Sequence, residues 1–150
     1  MNPLKFNDSE ADLIRALVLA KVEFVVIGGH AVHSHGFSRP IGDLDILIAP
    51  NSENASRIKA ALAAVNFTLT ADLESRIAQP QANCVLPSPF HSQLLGHIAG
   101  VETNSALQDI ALAPFGPLTI PVLSLANLIA TKKAVGRPKD LTDLQGLAGV

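Results

Sequence analysis

Apolar positions recur along the chain with two different periods, and each change of period marks an element. Leu13, Ile14, Leu17 and Val18 fall at helical spacing behind the N-cap candidates Asn7, Asp8 and Ser9. Phe24 to Ile27 is a short, β-branched apolar run that reads as a buried strand, and Gly28-Gly29 ends it. His30 to Gly36 predicts a short helix and Leu44 to Ile48 a second strand. Asn51-Ser52 caps a helix through Ala64, with Ile58, Ala61, Leu62 and Val65 on one face. Phe67 to Thr70 predicts a third strand. Residues 72–93, interrupted by Pro80, Pro87 and Pro89, predict irregular strands and loops. Leu94 to Ile98 and Leu118 to Leu123 predict further strands, Pro121 marking a sheet edge or strand end. Ser124 caps a helix to Val135 that Gly136 stops, and Pro138 opens a last helix through Leu147. Strands and helices alternate early and less regularly later. The pattern predicts one α/β or α+β domain over residues 1–150, with helices packed on a small mixed sheet.

Composition narrows the function classes. Hydrophobic residues make up 48% of the 150, enough for a real core and too many for a disordered chain. Only 16% are charged, and 11 basic against 13 acidic residues leave a net charge of -2. A whole-surface nucleic-acid binder would be basic, so any RNA contact must come from a local patch. Trp and Tyr are absent, which removes the usual aromatic platform for stacked bases. Cys84 is the single cysteine, so an internal disulfide and a Cys-based zinc site are both excluded. The N-terminal MNPLKFNDSE carries no apolar run behind a basic stretch, and no 18-residue apolar run occurs; both predict a cytoplasmic protein with no membrane partner.

Two short motifs carry candidate chemistry. Gly28-Gly29 stands between a strand and a helix start, where bare backbone N–H groups can meet an anion; a tight turn needing positive φ explains the same glycines. Asp43 and Asp45 are two apart in a strand, so both carboxylates lie on one face, about 7 Å apart. Adjacent carboxylates repel unless a cation lies between them, and Mg²⁺ takes one or two carboxylates together with substrate phosphates. A charged edge-strand face that discourages aggregation explains them equally. Lys132 falls on the apolar stripe of its helix with Leu125, Leu128 and Ile129. There it either reaches a triphosphate or pairs with Asp140 or Asp143. Lys132, Lys133, Arg137 and Lys139 form a basic segment that reads as a solvated helix end or a contact for an ATP tail or RNA backbone.

Taken together, Ile27-Gly28-Gly29 followed by Asp43-Leu44-Asp45 resembles the signature of the nucleotidyltransferase superfamily, the polymerase-β-like fold. Ala31, Gly36 and Arg39 resemble its small bacterial and archaeal members, including toxins of the abortive-infection and toxin–antitoxin type. The segment Arg137-Pro138-Lys139-Asp140-Leu141 with Asp143 also looks like the end of such proteins. The resemblance implies metal-dependent transfer of a nucleotide from an NTP, ATP or another, to an unknown acceptor: a protein, an RNA or a small molecule. It implies Mg²⁺ or Mn²⁺ held by Asp43 and Asp45. Gly28, Gly29, His30, Arg39 and Lys132 would meet the nucleotide, and Lys132 would neutralise the leaving pyrophosphate.

One departure is serious. The family places a third carboxylate on a later strand, and the matching position here is Gln93, in Ser92-Gln93-Leu94-Leu95. An amide is no base and offers a metal only its carbonyl oxygen. The rival reading is therefore a non-catalytic nucleotide-binding or protein-interaction module of the same fold.

Overall fold

The computed structural model describes residues 1–150 as seven helices and one six-stranded mixed sheet, an α/β architecture. Helix α1 (Asp8–Leu19) starts at a capping box: Asn7 accepts from the Glu10 amide, and Glu10 accepts from the Asn7 amide. Strand β1 (Phe24–Ile27) runs directly into α2 (Gly28–Ser34). Strand β2 (Leu44–Ile48) pairs antiparallel with β1, and α3 (Ser52–Ala64) follows, capped by Asn51. Next come α4 (Ala71–Ile77), β3 (Asn83–Leu86), β4 (Ser92–Leu95) and α5 (Thr103–Gln108). The hairpin β5 (Ile110–Phe115) and β6 (Leu118–Leu123) precedes α6 (Leu125–Val135) and α7 (Pro138–Ala148).

Strand order is β3-β4-β2-β1-β6-β5, with β2/β4 and β1/β6 parallel and the other neighbours antiparallel. The central strands are the most apolar because both of their faces are covered. Every residue of β1 is buried, as is every residue of β2 except Asp45. The core joins Leu13, Ile14 and Leu17 of α1 to Ile58 and Leu62 of α3 and to the strands. No helix is long and apolar enough to cross a membrane.

Several local expectations are corrected. Residues 67–70 form no strand. The Phe67 amide closes the end of α3 on Leu62 O, and the Thr70 side chain caps α4, so both ends of the segment serve helices. The stretch 72–93 is more regular than its prolines suggest, holding most of α4, all of β3 and the start of β4. The strand expected at Leu94–Ile98 starts two residues earlier and ends at Leu95. Pro121 is not at an edge, since β6 lies between β1 and β5. Alternation from the hairpin turn leaves Pro121 in a non-hydrogen-bonded pair with Leu112, so its missing N–H faces β1. There β6 is joined through a single register pair, Val26↔Val122, and the ladder tolerates the imino acid. On α6, Leu125 and Val135 are exposed, and only Leu128 and Lys132 are buried.

Candidate active site

The site begins where β1 becomes α2. Gly28 makes that turn at φ +66, a left-handed conformation that costs other residues about 1–2 kcal/mol. A second constraint acts at the same atom. Ile27 pairs with Asp45, and a Cβ on Gly28 would lie 2.8 Å from Asp45 Oδ2. The carboxylate therefore rests against the bare Cα, and any side chain at 28 would displace it.

Asp45 is half-buried between core residues Leu44 and Ile46, turned to the opposite face of β2. Asp43, just before the strand, is exposed. Burial raises the Asp45 carboxyl above its ordinary range, and the negative charge of Asp43 raises it further. Lys139, Arg137 and Lys132 pull it back down by charge alone; no hydrogen bond contributes. Across the parallel pair, Gln93 is the register partner of Asp45. Its Nε2 donates to Asn83 Oδ1 at 2.5 Å, tying the amide to β3.

Above this face lies a cleft of about 310 Å³ between the sheet and α6. Gly28, Asp45, Gln93, Lys132, Arg137 and Asp140 are among the residues that line it. Leu95, Ile98, Ala99 and Val135 line it too, with His97 and Thr131. A larger depression, about 550 Å³, lies between α1 and α3. Its charged groups, Asp12 and Arg15, are paired with each other at 3.6 Å, so it offers no free charge to a ligand.

The positive wall of the cleft is a relay of ion pairs. Lys132 is 7% exposed; its Nζ lies 2.8 Å from Asp143 Oδ2 and 3.4 Å from Asp140 Oδ1. Arg39 grips Asp143 with two bonds, Nε at 2.7 Å and a terminal nitrogen at 2.8 Å. Arg137 Nε donates to Asp140 at 2.7 Å. Burial pushes both carboxyls up, but bonds from Arg137 hold Asp140 below the usual range, and bonds from Arg39 and Lys132 do the same for Asp143.

The structure thus brings Gly28, Asp45, Gln93 and Lys132 to one cleft; Asp43, exposed just before β2, is not among the residues that line it. For Lys132 the ion pair is present, with both aspartates at once. Gly29 sits under Arg39 and Ile41, and Arg39 is spent on Asp143. His30, expected at the nucleotide, is 2% exposed and points inward, 3.8 Å from Glu10 and with its ring centroid 5.2 Å from that of Phe6. Helical periodicity turned it away: α2 starts at Gly28, and position 30 falls on its inner face. Two cleft residues, His97 and Thr131, carried no sequence signal for this role, nor did Asn83, the partner of Gln93 outside the cleft lining. The chain matches no protein-family model, and no curated protein matches it.

Proposed function

We propose that the protein is a metal-dependent nucleotidyltransferase of the polymerase-β-like type. The observation that carries this reading is the isolation of Asp45. It is a half-buried carboxylate with no hydrogen bond, pressed onto a glycine Cα, while Lys132 and Arg137 are committed to Asp140 and Asp143. Such a charge is costly unless a cation joins it. All-oxygen donors from Asp43 and Asp45, with an open side for phosphate oxygens, fit Mg²⁺ or Mn²⁺.

In this reading Asp43 and Asp45 would hold the ion, which when bound would supply neutralisation of charge on the phosphates. Arg137, at the cleft rim, meets the polyphosphate, and Lys132 adds positive potential from below. The acceptor oxygen bonds to the α-phosphorus, the bond to the β-phosphate oxygen breaks, and pyrophosphate leaves. With Gln93 where a carboxylate would stand, the acceptor proton passes to water. Catalysis is then mainly positioning and charge stabilisation.

The test is titration with Mn²⁺ on the parent and on Asp43→Asn/Asp45→Asn, followed by transfer of radiolabelled NTP into lysate components. Metal binding and label transfer lost in the double variant support the reading; equal Mn²⁺ binding by both proteins refutes it. Gln93 favours a second reading, a nucleotide-binding module without turnover. Nucleotide binding with no label transfer to protein, RNA or small molecules would select it.

A further inference from the structure

Two kinds of residue line the cleft, charged and apolar, and the difference bears on what the site can recognise. We infer, resting on the nucleotidyltransferase reading, that the cleft selects nucleoside triphosphates by their polyphosphate and is indifferent to the base. Its charged lining residues are Arg137, Lys132, Asp45 and Asp140, which share the cleft with Gly28. Charge-assisted contacts there are roughly twice as strong as neutral ones. The base would rest against the apolar lining, Leu95, Ile98 and Val135.

Reading a base takes fixed donors and acceptors on its edge, or a ring to stack on its face. No aromatic carbocycle lines this cleft. None of the six phenylalanines reaches it, and the chain has no Trp or Tyr. Its neutral polar side chains are Gln93, whose amide is tied to Asn83, His97, which is exposed, and Thr131. Strong rejection of a wrong base comes from buried polar groups left unpaired. An exposed imidazole stays hydrated whichever base is bound, so it imposes little penalty. A well-placed bidentate pair is worth about 1–3 kcal/mol of discrimination, and nothing here supplies one. Size points the same way. At about 310 Å³ the cleft is at the small end of ligand cavities, so a bound nucleotide leaves its base edge at the mouth beside His97 and Ala99.

The experiment is calorimetric titration of the whole chain, in Mn²⁺, with ATP, GTP, CTP, UTP and inorganic tripolyphosphate. The four nucleotides should bind within about tenfold of one another, and tripolyphosphate within about tenfold of their mean. Arg137→Ala should weaken all five by a similar factor, and His97→Ala should alter the order of none. A preference beyond tenfold for one base, or tripolyphosphate more than tenfold weaker than every nucleotide, overturns the inference and leaves the proposed activity standing. Failure of all five to bind overturns the proposed activity and this inference with it.

Discussion

Replacing Lys132 by Met removes one charge from the most enclosed ion cluster in the molecule. Asp140 and Asp143 are each 1% exposed, and Lys132 bridges them. Taking one partner from a buried pair costs about 3–5 kcal/mol, because the remaining charge stays desolvated. Here each carboxylate keeps a guanidinium, Arg137 on Asp140 and Arg39 on Asp143. The expected loss is therefore at the low end, about 3 kcal/mol. At about 2–4 °C per kcal/mol for a chain of this size, Tm should fall by about 6–12 °C. Arg137→Ala is the contrast: its side chain is 55% exposed, so the loss should be at most about 1 kcal/mol. Scanning calorimetry between pH 7 and pH 4 separates charge from packing. In the parent the two carboxyls titrate below their unfolded value, so they add stability above that value and lose it as pH falls. Lys132→Met weakens that contribution, and the gap between parent and variant should narrow as the solution is acidified. A variant within 2 °C of the parent at pH 7, or a gap that does not change with pH, would refute the charge argument.

Gly28→Ala should lower Tm by about 2–8 °C, from about 1–2 kcal/mol of left-handed strain, and weaken Mn²⁺ binding because the new methyl displaces Asp45; metal titration and calorimetry check both. Asp45→Asn should stabilise the metal-free protein at pH 7, since the folded-state carboxyl titrates above its unfolded value and its ionisation opposes folding; urea midpoints with and without Mn²⁺ should show that gain and the loss of metal-induced stabilisation. Burial, then the charges of His33 and Arg39, lower His30 to about 4, so the unfolded chain takes up that proton first and stability should decline between about pH 6.5 and pH 4; Glu10, raised mainly by burial, acts in the opposite sense, and His30→Gln should flatten the decline in urea midpoints. Gln93→Asp should raise Mn²⁺ affinity at least several-fold by adding a full charge beside Asp45, and an unchanged titration would mean that position 93 does not face the ion.

Much of this arrangement was legible in the sequence, and the gaps have physical causes. The strands at 24–27, 44–48 and 118–123 announced themselves because buried strands are continuous apolar runs. Strand 83–86 hid, and 92–95 was expected only from Leu94 on, because β3 and β4 hold Asn83, Ser92 and Gln93, polar residues that interrupt an apolar run. Strand β5 hid for another reason: exposed Ile110 and Leu112 and an outer-edge Pro114 blur its alternation. The neighbourhood of Asp45 and Gln93 was implied by the resemblance to nucleotidyltransferases, and the register places them side by side. The positions of His30 and Arg39 were not readable, since which face of α2 looks outward depends on how Phe6 and Asp143 pack against it.

The basic cluster also resolves a choice that the sequence left open for Lys132. An ion pair and a role toward phosphate looked exclusive, because one ammonium cannot fully satisfy both. The geometry separates contact from field. Lys132 touches Asp140 and Asp143, but its charge is felt at Asp45, as are those of Arg137 and Lys139. Arg39, Lys132 and Arg137 together outnumber the two carboxylates they bind, so the cluster keeps a net positive charge on one side of the cleft. Pulling Lys132 onto a phosphate would strip Asp143 of one of its two cations, at a cost of the same order as deleting it. Arg137 can shift more cheaply, because most of its guanidinium is already in water. In the proposed reaction the direct phosphate contact therefore falls to Arg137, and Lys132 acts without moving, as a fixed positive potential set in place by folding.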